Sequence, residues 1–149
     1  MNITSDVFKE KEMIPSIYTC DGVNIIPPLV FLDVPSKTRS FSIIMDDPDA
    51  TGGKTFTHWI VWNISKDTRE IIEGLVPTGA VEGMTDFGKI GYGGPCPPKG
   101  NAPHRYFFKL YALDTELSLF EDTTKSDLEN AMNGHILEQA EFFALYGRI

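Results

Sequence analysis

Tyr92-Gly-Gly-Pro-Cys-Pro-Pro-Lys-Gly-Asn-Ala-Pro-His-Arg-Tyr-Phe-Phe108 joins a stiff Pro/Gly loop to a histidine at the head of an extended aromatic run. Proline fixes its own φ and donates no backbone hydrogen bond, so Pro95 to Pro98 belong neither in a helix interior nor in a central strand. Arg105 to Leu113, just after the loop, has the aromatic content of a strand. His104, Tyr106, Phe108 and Leu110 then share one face, against Arg105, Phe107, Lys109 and Tyr111 on the other. The ten prolines and thirteen glycines fall mostly upstream of Arg105. They cut that region into short extended pieces, the pattern of an antiparallel β protein.

The other pieces follow the same grammar. Val30 to Asp33, Ser40 to Met45 and Thr57 to Ile64 read as strands. Phe41, Ile43 and Met45 share a face. Alternation groups Phe56, His58, Ile60 and Trp62 on one side and Thr57, Trp59, Val61 and Asn63 on the other; with both sides largely apolar, this strand is expected to be central. Helical period begins only near the C-terminus. Ser126-Asp-Leu-Glu129 has the form of a capping box, followed by Leu128, Ala131 and Met132 with Gly134 as a stop. A second helix is expected from about His135, with Ile136, Ala140 and Phe143 as its apolar stripe. The fold class expected is mainly β, with peripheral C-terminal α-helices, and residues 1–149 are expected to form one domain.

With 13 Lys and Arg against 21 Asp and Glu, the formal charge of -8 argues against a nucleic-acid partner. No apolar run approaches a membrane span, and Met1-Asn-Ile-Thr-Ser-Asp6 lacks the basic and apolar regions of a signal peptide, so a cytoplasmic location is expected. In that compartment Cys20 and Cys96 are expected as two thiols rather than as a disulfide.

Asp47 and Asp49 flank Pro48, and in extended backbone they point the same way, so that one of the pair titrates high. The plainer reading of Asp47-Pro-Asp-Ala-Thr-Gly-Gly53 is a turn. His58 and His104 can serve as metal ligands, acid/base groups or anion donors. No short metal-ligand spacing joins them, so neither a metal nor another cofactor is expected. A Cys96/His104 nucleophile pair is the catalytic alternative. Pro97 takes away the backbone N–H that would follow a nucleophilic Cys96, and no helix start is present to acidify the thiol, so no enzyme activity is expected and Cys96 reads as a small filler. Histidines, a Pro/Gly wall and carboxylates suit a phosphomonoester, whose second pKa lies close to that of histidine. The carboxylates favour a ligand that also carries a cation.

Taken together, Asp47-Pro-Asp-Ala50, Thr57-His-Trp59 with Asn63, Gly91-Tyr-Gly-Gly-Pro-Cys-Pro-Pro98 and His104-Arg-Tyr106 resemble the phosphatidylethanolamine-binding protein family, in its short bacterial and archaeal branch related to the Raf kinase inhibitor protein. Cys20-Asp-Gly22, Asn24, Pro27-Pro-Leu29, His135-Ile-Leu137 and Tyr146-Gly-Arg148 extend the match over nearly the whole chain. The resemblance implies an antiparallel β-sandwich with an anion pocket at one end. It places Asp47, Asp49, His58, His104 and Tyr106 in that pocket, with Gly94, Pro95, Pro97 and Pro98 as its rim. It also implies a small anionic or phosphorylated ligand, a kinase or protease as a possible protein target, and a homodimer as a possible assembly. Thr51 stands where the family loop often has proline.

Overall fold

In the computed structural model, which describes residues 1–149, the chain forms eight strands and one α-helix. They are β1 (Asn2–Thr4), β2 (Leu29–Leu32), β3 (Ser40–Asp47), β4 (Phe56–Ser65), β5 (Glu70–Ile71), β6 (Val81–Glu82), β7 (His104–Leu113), α1 (Lys125–Met132) and β8 (Ile136–Tyr146). A small sheet has the order β1-β2-β5 and a large one β6-β4-β3-β7-β8, with every pairing antiparallel. The four strands expected upstream of Leu113 are present, each within two residues of its expected ends.

The sheets pack face to face. Ile3, Leu29, Phe31 and Ile71 of the small sheet meet Phe41, Ile43, Met45, Trp59, Val61, Phe108 and Leu110 of the large one in the main core. Phe31 and Phe41 bridge the layers with ring centroids 5.2 Å apart, a contact worth roughly 1 kcal/mol beyond its burial. Behind the large sheet, Ile44, Ile60, Trp62 and Leu113 pack against Leu128 and Met132 of α1 in a second core. Strands β3 and β4 are therefore apolar on both faces because both faces are covered. Asp46, on the rear face, takes Lys125 Nζ of α1 at 2.7 Å and Lys109 Nζ at 3.1 Å. Its neighbour Asp47 consequently faces forward.

Strand β4 carries an irregularity near its end. Ile64 pairs with Phe41 but Val61 with Ile43, so β4 has one residue too many there. Asn63 sits in the left-handed region, with φ of 56°. Its side-chain amide clasps Leu117, donating from Nδ2 to the carbonyl (2.8 Å) and accepting from the N–H at Oδ1 (2.7 Å). Asn63→Ala removes both bonds and adds backbone strain, so a loss of about 2 kcal/mol is expected in urea unfolding.

Two expectations are corrected here. Instead of two C-terminal helices there is one, which starts at an N-cap on Thr124 whose box partner is Asp127, not at Ser126. The segment after His135 is β8, paired with β7 from His104↔Tyr146 to Leu113↔Ile136. Ile136, Ala140 and Phe143 mimic a helical stripe, but the exposed edge of β7 offers a full ladder, and Phe142, Ala144 and Tyr146 alternate into the main core. Second, Cys20 and Cys96 form a disulfide. Their loops are already tied by Cys20 N–H to the Pro95 carbonyl (3.1 Å), Gly94 N–H to Asn24 Oδ1 (2.8 Å) and the Tyr92 hydroxyl to the Tyr18 carbonyl (2.8 Å). This leaves the two Cα atoms 5.4 Å apart, within bridging range. No helix is long and apolar enough to cross a membrane.

Candidate functional site

At the end of the sandwich where β3 finishes and β7 begins, the main-core face gives way to a cavity of about 390 Å³. Asp47 continues the row of Phe41, Ile43 and Met45 into it, and His104 and Tyr106 continue the row of Phe108 and Leu110. His58 arrives by a different route. Trp59 pairs with Met45 and Thr57 with Asp46, which makes His58 the extra residue of a second bulge in β4. Its ring lies edge-on to Tyr106 at 5.2 Å, on the side of the main core. Ile60 and Trp62, with which simple alternation groups it, lie in the second core. The bulge thus aims His58 at the cavity.

Each histidine is fixed through Nδ1. In His58, Nδ1 donates to the Gly93 carbonyl at 2.7 Å. A carbonyl only accepts, so the proton is on Nδ1. Burial pushes the His58 pKa below the ordinary histidine value, and the Gly93 carbonyl and Asp47 offset this only in part. The free imidazole is neutral at pH 7, and its Nε2 has a lone pair with no protein partner. His104 Nδ1 donates to Asp47 Oδ2 at 2.8 Å, again leaving Nε2. The other Asp47 oxygen accepts the N–H of Asp49 at 2.8 Å. One buried carboxylate therefore both closes the Asp-Pro-Asp turn and orients the histidine, so the turn and a carboxylate lining the cavity coexist at Asp47. Burial, reinforced by Asp47, pushes the Tyr106 hydroxyl well above the ordinary tyrosine value and keeps it protonated.

Of the residues expected at the site, Asp47, His58, Pro97, Pro98, His104 and Tyr106 line the cavity; Asp49, Gly94 and Pro95 do not. Asp49 turns outward. Both of its oxygens take the Arg105 guanidinium at 3.0 Å, and these bonds hold its carboxyl below the ordinary range. The expected pair of neighbouring carboxylates is not formed, because the turn separates the two side chains and Arg105 claims one. Gly94 and Pro95 instead lie beneath the rim, bonded to Asn24 and Cys20. Cys96 is no buried filler: it is exposed on the rim, within its disulfide.

The sequence reading missed Ala50, Phe56, Asp86 and Phe87 as cavity residues and took Thr51 only as a departure from a family loop. Asp86 is brought in when its Oδ2 accepts the Thr57 N–H at 2.7 Å. Phe87 packs on Phe56 at 4.8 Å and on His58 at 5.2 Å. Gly93 makes room for the Phe87 ring, since a Cβ there would come within 2.3 Å of it. No three His, Cys, Asp or Glu side chains are grouped to hold a metal ion.

Comparison with known proteins agrees with this architecture. A protein of Aquifex aeolicus known as "UPF0098 protein" is 51% identical over 99% of this chain and 89% of its own. The crystal structure of a phosphatidylethanolamine-binding protein homologue from Chlamydia trachomatis superposes with a TM-score of 0.93 at 42% identity, covering 99% of this chain and 97% of that one. An Escherichia coli member of the mammalian phosphatidylethanolamine-binding protein family gives the same TM-score at 33% identity, covering 99% and 98%. The family model described as phosphatidylethanolamine-binding protein matches residues 4–147, and the chain belongs to that family.

Proposed function

We propose that the protein binds a phosphorylated small molecule or headgroup that also carries a cation, and acts as a regulatory binder with no covalent step. The observation that carries this reading is the pair of imidazoles on one cavity, each fixed through Nδ1 and each with a free Nε2. A monoprotonated phosphate donates its P–OH to the neutral His58 Nε2, its remaining oxygens accept from the Tyr106 hydroxyl, and the accompanying cation donates to the free Nε2 of His104. Asp47 and Asp86 oppose a bare dianion and favour a nearby ammonium. Phe56 and Phe87 give that cation an aromatic wall. The family name, with its ethanolamine headgroup, fits the same zwitterionic chemistry.

Phosphoethanolamine titrated while the ring resonances of both histidines are followed by NMR tests this reading. Saturable shifts are expected, and the affinity is expected to fall at least about tenfold in His58→Ala and in His104→Ala, since each removes a hydrogen bond to a charged group. Unmoved rings at millimolar ligand would reject the proposal. So would a protein partner whose binding survives both substitutions while phosphoethanolamine stays unbound, because the fold would then act through its surface on a target such as a kinase or protease.

A further inference from the structure

We propose that the Cys20–Cys96 bridge is a thiol-exchange site that opens the wall of the anion cavity, a coupling that rests on the reading above. The wall consists of Cys96, Pro97 and Pro98, all of which line the cavity. The two prolines have no N–H to donate, and the backbone pairing nearest the wall is the parallel bridge of Lys99 with Arg148, directly after Pro98. Attachment is made on either side, where the Pro95 carbonyl accepts from Cys20 N–H and Gly100 N–H donates to the Arg148 carbonyl at 2.9 Å. Between Pro95 and the Lys99–Arg148 pairing, the disulfide is the only covalent tie from the wall to the body of the protein, and of the three residues Pro97 alone is buried.

The bridge is also reachable. Cys96 is exposed and Cys20 half-buried, which directs an incoming nucleophile to Cys96. The thiolate of a low-molecular-weight thiol attacks Cys96 Sγ, forming a mixed disulfide as the Cys20–Cys96 bond breaks. Cys20 leaves as a thiolate and takes a proton from water. A second small thiolate displaces the first from Cys96, releasing the small disulfide and leaving two reduced cysteines. In the intermediate the adduct projects from the cavity wall. In the fully reduced form the proline pair is tethered only at its ends. Both states weaken the cavity's hold on an anion, so ligand binding follows the thiol balance of the surroundings.

The test uses reduced glutathione on the intact protein, with alkylation and peptide mapping. The adduct is expected on Cys96 with Cys20 alkylated, while the far-UV spectrum stays native. Trypsin supplies the structural readout, because Lys99 ends the wall and Lys54 lies in a separate exposed loop. Reduction is expected to speed cleavage at Lys99 by about tenfold and leave Lys54 unchanged, and to weaken phosphoethanolamine binding by about tenfold. An adduct on Cys20, a bridge that opens only as the sheets unfold, or equal cleavage at Lys99 in both states would overturn the exchange site. Equal affinity in the bridged and reduced forms would overturn its coupling to the cavity. Failure of the bridged protein to bind phosphoethanolamine would instead remove the ligand reading, while mapping and cleavage still decide on the exchange.

Discussion

Raising the pH from about 6.5 to about 8.5 is expected to weaken phosphoethanolamine binding by about a hundredfold, one decade per pH unit, because the complex holds one proton that the free partners have lost. The sign follows from His58. Its Nδ1 proton is committed to the Gly93 carbonyl, and burial holds its pKa below the ordinary value, so Nε2 is bare in the free protein. A phosphate oxygen meeting a bare nitrogen is a repulsive contact between two lone pairs. It becomes a hydrogen bond only when a proton lies between them, whether it arrives as P–OH or as imidazolium. Above both pKa values that proton must come from solution, and affinity falls with its concentration.

Calorimetry in buffers of different ionisation enthalpy measures the uptake directly, and a value near one proton is expected. 2-Aminoethyl sulfate has no ionisation in this range and separates the two sources. Its complex takes a proton only onto an imidazole, so any uptake measured with it comes from the histidines and not from the ligand. A phosphoethanolamine affinity that stayed flat across the range would mean that no shared proton bridges ligand and His58.

Much of the fold and about half of the site were legible from period-2 patterning and loop chemistry. Asp47, His104 and Tyr106 lie on rows that alternation describes correctly, because β3 and β7 are regular where they reach the cavity. His58 belongs to the site for a reason alternation does not encode: a bulge adds a residue and turns the ring to the other face. Bulges depend on the partner strand, and the local sequence Phe56-Thr-His-Trp59 shows no sign of one. The same holds for β8, where Glu138, Gln139 and Glu141 favour a helix in isolation but the free edge of β7 selects a strand. Asp86 and Phe87 come from a loop whose position depends on a bond to β4 and a stack on His58, both tertiary. The disulfide was hidden because two cysteines 76 residues apart give no pairing signal until the loops carrying them are docked.

Gly94→Ala is expected to lower stability by about 3 kcal/mol or more, at the upper end of overpacking costs, and to disable the proposed ligand cavity along with it. A methyl at this position would sit 2.1 Å from the Tyr18 carbonyl oxygen and 2.5 Å from Asn24 Oδ1. The first of these is backbone, held in turn by the Tyr92 hydroxyl. The second accepts the Gly94 N–H, so moving it away breaks a hydrogen bond at the same residue. Relief therefore requires the two docked loops to part, the same loops that carry the disulfide and the proline wall. Gly100→Ala is the control. A Cβ there has no atom within 4 Å, and its φ of +82° adds backbone strain alone, so a cost of about 1 kcal/mol is expected with ligand binding intact. Urea unfolding compares the stabilities, and phosphoethanolamine titration of the folded fraction compares the sites. If Gly94→Ala matched the control in both measurements, the loops would be adjustable and the rim could not be the rigid wall on which the two imidazoles depend.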